Sequence, residues 1–299
     1  MVTWKHLLIN TNYFGCARKE NSPFTIIGVP LDNSETYKPG TRFAPGEIRT
    51  ASCNIEFYSI YSSLDIDSIG FNDIGDIVVV PGDNNESLER IKTVIKGFVS
   101  EHRSLPIILG GEHTLTFATY SAFKEILKDD IGIIVFDAHL DLRTDYMGYR
   151  LSHASVFRRL YEEYQPPIFY IGARALTQEE IEYAKLNNIS YKTRIQPLQE
   201  TIYDLDKFLN GKKYIYISID MDVIDPAYAP GVSNPEPLGL LPRDVIYYLK
   251  KIIEKSNPIA IDIVEVNPLV DINSITSILA SKIIVEIAGL YLSTKGFIK

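Results

Sequence analysis

Residues 133–143 read IIVFDAHLDLR. The stretch opens as an apolar run and then places Asp137, His139 and Asp141 at every second position. In an extended strand, residues two apart share a face and lie about 7 Å from each other. Two carboxylates and an imidazole projecting together would desolvate and repel one another at a cost of several kcal/mol unless a cation sits among them. Two other segments have the same character. ILGGEHTLTF (residues 108–117) places His113 after a glycine pair, and ISIDMDVIDPAYAPG (residues 217–231) repeats the alternation with Asp220 and Asp222, then Asp225.

His113, Asp137, His139, Asp141, Asp220 and Asp222 together are too many ligands for one tetrahedral ion. They suit two divalent ions sharing bridging carboxylates, as in two-metal sites whose ions stand roughly 3.5–4 Å apart. Hard oxygens with a minority of imidazoles favour Mn, Mg or Fe. The four carboxylates would cancel two dications in formal charge. Singly, each feature has an ordinary explanation: a D-x-D is commonly a cap, a Gly-Gly a turn, and a lone histidine such as His6 or His102 a surface or core residue. Three of the five histidines, however, fall in or beside Asp-rich segments, and that conjunction argues for a site. G-x-G-x-x-G and a Walker-type lysine loop are absent, which removes the usual nucleotide motifs.

Such residues need a scaffold. Strand-like runs occur at residues 24–29, 76–80, 105–110, 131–137, 167–172, 213–220 and 258–266, mostly continuous and rich in Ile, Val and Tyr. Continuous apolar strands mark a parallel sheet covered on both faces. Between them, Leu88, Ile91, Ile95 and Phe98 keep helical spacing, as do Ile246, Leu249, Ile252 and Ile253 after Pro242; residues 274–293 read as a long C-terminal helix. Repeated βα units predict one three-layer α/β domain over residues 1–299. Ligands in such sheets gather beyond the carboxyl ends of the strands, where the opening stretch places its polar groups.

Composition narrows the class. The chain has 299 residues, 45% hydrophobic, with a formal charge of −8, which argues against nucleic-acid binding. It shows no run of eighteen apolar residues, so no membrane span is expected, and the apolar stretch near its start is too short for a signal peptide. Cys16 and Cys53 are the only cysteines, in no metal-like spacing; they are expected to be ordinary small hydrophobes in a reducing cytoplasmic compartment.

GGEHTLTF, DAHLDLR and SIDMDVIDPAYAPG, in that order, resemble the ureohydrolase (arginase–agmatinase) superfamily. ETYKPGTRFAPGEIR (residues 35–49) is similar to the P-G-x-R-x-x-P-x-x-I-R element of its agmatinase branch. The resemblance implies a three-layer α/β/α fold with a mostly parallel sheet of about eight strands and a binuclear manganese cluster. Carried over by position, His113, Asp137, Asp141 and Asp220 would hold one ion, and Asp137, His139, Asp220 and Asp222 the other. It further implies that His153 shuttles protons, that Glu265 faces the guanidinium, and that the assembly is a trimer or hexamer. Asp225 is expected to orient the ligand loop rather than bind metal. The chain departs from the pattern at Glu112 (usually Asp), at Ala154 (commonly Gly), and in GVSNPEPLGL (residues 231–240), where the family has G-T-G-T-P-x-x-G-G-L.

The expected reaction is hydrolysis of agmatine to putrescine and urea by a hydroxide bridging the two ions. Asp141 would relay its proton, Glu265 would hold the guanidinium, and His153 would protonate the leaving amine. Asp145 is the candidate for a distal ammonium; Arg143 or Arg150 would instead receive a carboxylate, which keeps guanidinobutyrase open beside arginase. A single-zinc deacetylase and an inactive metal-bound homologue are the more distant alternatives.

Overall fold

The computed structural model describes residues 3–296. Its strands, in chain order, are β1 (Leu8–Ile9), β2 (Phe24–Val29), β3 (Tyr58–Ser59), β4 (Leu64–Asp65), β5 (Asn72–Ile77), β6 (Leu105–Gly110), β7 (Ile131–Phe136), β8 (Ile168–Ile171), β9 (Ser190–Lys192), β10 (Tyr214–Asp220) and β11 (Pro258–Val264). The helices are α1 (Ala44–Ser52), α2 (Asn84–Glu101), α3 (Leu115–Leu127), α4 (Val156–Tyr164), α5 (Gln178–Leu186), α6 (Leu198–Leu209), α7 (Pro242–Lys255) and α8 (Ile275–Lys295).

Nine strands make one sheet, in the order β1-β5-β2-β6-β11-β10-β7-β8-β9, while β3 and β4 pair separately. Every pairing in the large sheet is parallel except that of β1 with β5. The sheet has one strand more than the expected eight; the apolar runs left out β1 and β9, edge strands of two and three residues, too short to leave an apolar pattern.

The continuous apolar runs are explained by the two faces. Ile26, Ile107, Leu109, Ile134 and Phe136 pack into one core with α1, α6, α7 and α8. Their neighbours Ile27, Ile108, Ile133 and Val135 pack into the other core, with α2, α3 and α4. Full burial of one such side chain contributes about 1.5–3 kcal/mol. Helix starts follow local chemistry: Asp83 accepts from Glu86 N ahead of α2, and Pro242 opens α7. The segment Ile272–Lys295 has the length and composition of a membrane span, but 72% of its apolar window is buried inside this fold.

The sheet register places the site. Phe136 pairs with Ile219, Asp220 with Val264, Ile263 with Leu109, and Gly110 with Val29. The carboxyl ends of β2, β6, β11, β10 and β7 thus form one adjacent series, although their loops are far apart in sequence.

Two expectations are corrected. The run at residues 76–80 meets the strand only at 76 and 77; β5 begins earlier and spans Asn72–Ile77, because its polar residues have buried partners. Arg49 on α1 donates from Nε to Asp73 Oδ2 (2.7 Å) and from Nη1 to Asp76 Oδ1 (2.6 Å), and all three residues are buried. Cys16 and Cys53 are not separate small hydrophobes but form a disulfide, with Cα atoms 5.2 Å apart, tying the N-terminal segment to the end of α1. Spacing carries no pairing signal for two cysteines 37 residues apart. A chain whose two cysteines are bonded to each other does not call for a reducing compartment.

Arg49→Ala would leave Asp73 and Asp76 without their common partner. The expected loss is about 3–5 kcal/mol, that of a broken buried ion pair, measured from the urea unfolding midpoint. A change below about 1 kcal/mol, the scale of exposed pairs, would contradict the assignment.

Candidate active site

β7 stops at Phe136, so Asp137, His139 and Asp141 do not converge by strand alternation. A turn brings them together instead. Asp137 Oδ1 accepts from His139 N (2.6 Å), and Asp141 adopts φ of 52°. The same device recurs after β10, where Asp220 Oδ1 accepts from Asp222 N (2.8 Å) at the start of a short 3-10 turn. The two turns lock together: Asp222 Oδ1 accepts from Ala138 N (2.9 Å). After β6, Gly111 turns so close to the segment following β2 that a Cβ there would lie 1.9 Å from Leu31 O.

His113 then enters the space between these turns. Its Nδ1 stands 3.2 Å from Asp137 Oδ2, 3.2 Å from Asp141 Oδ2 and 3.4 Å from Asp220 Oδ2. His139 Nδ1 stands 2.9 Å from Asp222 Oδ2 and 3.5 Å from Asp137 Oδ1. Five of the six expected ligands fall in two groups that share Asp137, His113–Asp137–Asp141 and Asp137–His139–Asp222, and Asp220 joins them through His113.

The ring orientation of His113 is set from behind. Its Nε2 meets Ser218 Oγ at 2.8 Å, and Ser218 Oγ donates to Asp262 Oδ1 (2.6 Å). Asp262 also accepts from Tyr216 and Thr116. With the Ser218 proton committed to Asp262, His113 donates from Nε2, and with an ion bound its Nδ1 would offer that ion a lone pair. That nitrogen and Asp137 Oδ2 are buried and have no hydrogen-bond partner. A lone pair facing carboxylate oxygens is unfavourable unless a cation lies between them. The donor set and its orphaned atoms therefore fit divalent metal ions.

Proton affinities record the same crowding. Burial and the Asp137 charge push Asp141 up to about 7. Burial and the charges of Asp222 and Asp137 raise Asp220 well above the usual range. Burial pushes Asp137 up, but His113 and His139, whose nearby carboxylates favour their protonated forms when no ion is bound, hold it down at about 2.

His153 opens the turn ahead of α4. Its backbone N donates to Ser34 Oγ (3.0 Å), and its Nδ1 is 3.2 Å from the same oxygen. Ser34 is held in turn by Glu112, whose carboxylate accepts from Asn33 N (2.8 Å), Ser34 N (2.6 Å) and Ser34 Oγ (2.9 Å). The departure at Glu112 thus retains an acceptor that spans to the β2 loop. Burial, then the positive charges of His139 and His113, hold His153 down at about 4, so it is neutral at pH 7. Glu265 follows β11 with φ of 65°, and its Oε1 accepts from His113 N (2.6 Å).

Other expected residues lie elsewhere. Asp145 is exposed, and its Oδ1 caps Gly148 N at 3.2 Å; it does not join the cluster. Arg150 is exposed, 3.5 Å from Glu162, whereas Arg143 lies over the Tyr146 ring, which packs on His153. Asp225 accepts from Ala227 N and Gly239 N and so orders its loop. A Cβ on Gly239 would meet Asp225 N at 2.3 Å, while Leu238, at the preceding glycine position of the motif, takes φ of 63°. Ser233 donates to Lys38 O (2.8 Å), and Ala154 is buried with its carbonyl accepting from Arg143 N.

Sequence reasoning missed several supports. Arg174 donates to the carbonyls of Gly172, Asp222, Val223, Glu236 and Pro237. Glu236 Oε1 lies 3.6 Å from His139 Nε2. Ser34, Ser218 and Asp262 had no chemical signature of their own. A cavity of about 500 Å³ lined by Leu105, Pro106, Tyr214 and Pro258 opens at the amino ends of the strands, away from this chemistry.

Ser218→Ala removes the group that fixes the His113 tautomer. The fold should persist while metal affinity drops by about 10–100-fold, as for other partners of metal-ligating histidines, measured by equilibrium dialysis with elemental analysis. Unchanged affinity would show that Ser218 does not orient His113.

Residues 22–289 match the model of the arginase family. An agmatinase from Bacillus subtilis is 35% identical over 89% of this chain and 91% of its own. The N(1)-aminopropylagmatine ureohydrolase of Thermococcus kodakarensis is 35% identical over 85% of each chain. The crystal structure of agmatine ureohydrolase of Thermoplasma volcanium superposes with a TM-score of 0.84, at 30% identity over 98% of both chains. The chain belongs to the arginase family, on its agmatinase branch.

Proposed function

We propose that the protein is a manganese-dependent ureohydrolase that converts agmatine to putrescine and urea. The observation that carries this reading is the juxtaposition of the orphaned His113 and Asp137 ligand atoms with the Glu265 carboxylate, held against His113 through its backbone N–H. One part of the site demands metal cations; its neighbour offers an acid for a planar organic cation.

His113, Asp137, Asp141 and Asp220 would hold one ion, and Asp137, His139, Asp220 and Asp222 the other. The oxygen-rich donor set supports manganese. Bound ions would supply the acidity that makes water a nucleophile near neutral pH. Glu265 accepts N–H bonds from the guanidinium, fixes its plane and leaves the carbon's face open. Asp141 accepts the proton released as water adds. His153, neutral at rest and anchored on Ser34, takes up that proton on its free ring nitrogen and passes it to the departing amine, ending neutral again.

The names of the Bacillus and Thermoplasma relatives support agmatine; that of the Thermococcus relative adds N(1)-aminopropylagmatine to the substrates worth testing. A homo-oligomer, trimer or hexamer, belongs to the same reading. The exposed Leu269, Ile272, Ile275 and Ile278 support it, and light scattering gives the mass.

The test is urea release by manganese-loaded protein from agmatine, N(1)-aminopropylagmatine, guanidinobutyrate and arginine. Agmatine should be the best substrate; release from none would overturn the reading. Glu265→Gln should keep its metal and lose roughly 2–5 kcal/mol of substrate interaction, as for truncation of a buried charge pair, read as kcat/KM. Equal kcat/KM would remove Glu265 from the guanidinium site. His153→Ala should keep its metal and slow turnover by about 10²–10⁴-fold. Lost manganese in that variant would instead make His153 a ligand or a support.

A further inference from the structure

The other buried acids near the cluster have partners. Asp32 accepts from Gly40 N (2.9 Å) and Arg42 Nε (3.0 Å). Glu112 has its three donors from Asn33 and Ser34, and Asp262 its three hydroxyls. Glu35 differs. Both of its carboxylate oxygens are shut away from solvent, and no N–H or hydroxyl donor among the described residues reaches either. Its side-chain neighbour at hydrogen-bonding distance is the Glu265 carboxyl group, and the charges of Glu112, Asp32 and Asp141 act on it as well.

The segment carrying Glu35 is fixed on both sides. Arg42 bonds the carboxylate and the carbonyl of Asp32, Glu112 holds Asn33 and Ser34, and Ser233 and Asn267 both donate to Lys38 O (2.8 Å each). A purely structural glutamate would have donors. This one is rigidly presented to a second acid alone, a pairing of acceptors that a planar cation between the two carboxylates would satisfy.

We propose that Glu35 is a second substrate-binding carboxylate, which with Glu265 grips the guanidinium from two edges. The inference rests on the guanidino-hydrolase reading. A monosubstituted guanidinium offers five N–H donors in one plane. Two carboxylates engage up to four of them edge-on, which leaves the faces of the carbon free for attack. Hydrolysis replaces the cation by neutral urea, which loses the charge assistance of both acids. The clamp therefore favours substrate over product.

The test compares Glu35→Gln with the manganese-loaded wild type, using whichever guanidino compound of the panel the wild type turns over. Metal content should be unchanged. Thermal stability without substrate should be equal or higher, because the amide removes a repulsion and donates to Glu265. KM should rise about 10–100-fold, the range expected for hydrogen bonds to a charged group, with kcat changing less. The upward Tm shift given by the guanidino compound should shrink, while that given by putrescine, which lacks the guanidinium, should not. An unchanged KM would overturn the clamp and leave the parent reading intact. Loss of Tm and metal in the substrate-free variant, or equal weakening of putrescine, would also overturn it, assigning Glu35 a structural role or the distal ammonium. No urea release from any compound by the wild type would overturn both readings.

Discussion

Three carboxylates crowd within 3.2–3.4 Å of one imidazole nitrogen, His113 Nδ1, where solvent hardly reaches. Two like charges about 4 Å apart repel by about 4 kcal/mol even at an effective dielectric near 20. A domain's whole stability is about 5–15 kcal/mol. The cluster therefore depends on cations, and much of the surrounding architecture serves to hold it together. Paired turns at Asp137 and Asp220 aim the carboxylates, Ala138 N couples the turns, and Ser218 with Asp262 sets the histidine.

Backbone strain is also present at the site. Asp141 and Glu265 both occupy the left-handed backbone region, at φ of 52° and 65°. Non-glycine residues there cost of order 1–3 kcal/mol and persist only when their surroundings over-determine them. For Glu265 the surroundings are visible: its N donates to Gly111 O and its carboxylate accepts from His113 N. The β6 turn and the β11 end thus hold each other. Glu112, Ser34 and His153 form a comparable chain from the β6 turn through the β2 loop to the start of α4. The site is assembled from the ends of five neighbouring strands, and each loop is braced by another.

Much of this was legible in the sequence, for identifiable reasons. The continuous apolar runs gave the covered parallel sheet because its strands pack on both faces. Asp137, His139, Asp141, Asp220, Asp222 and His113 stood out because alternating polar groups at the end of apolar strands have few structural uses. The mechanism of convergence was not legible, since side-chain-to-backbone turns, not pleating, produce it. Strand order was hidden as well: no local pattern places β11 and β10 between β6 and β7. The run at residues 76–80 set the strand too late because its β-branched residues outweighed Asn72 and Asp73, and the place of Asp73 in β5 depends on Arg49 in α1. Asp145 looked suitable by proximity in sequence to Asp141, but the chain turns outward there and spends its carboxylate on Gly148. Ser34, Ser218 and Asp262 act only through partners that sequence does not reveal.

The central claim is that this concentration of buried carboxylates exists to hold two divalent ions. The most direct test is the number of manganese ions bound per chain, by elemental analysis of the wild-type protein after saturation and exhaustive dialysis. The account predicts two. One ion per chain, or none, with the protein folded and saturating manganese supplied, would contradict it.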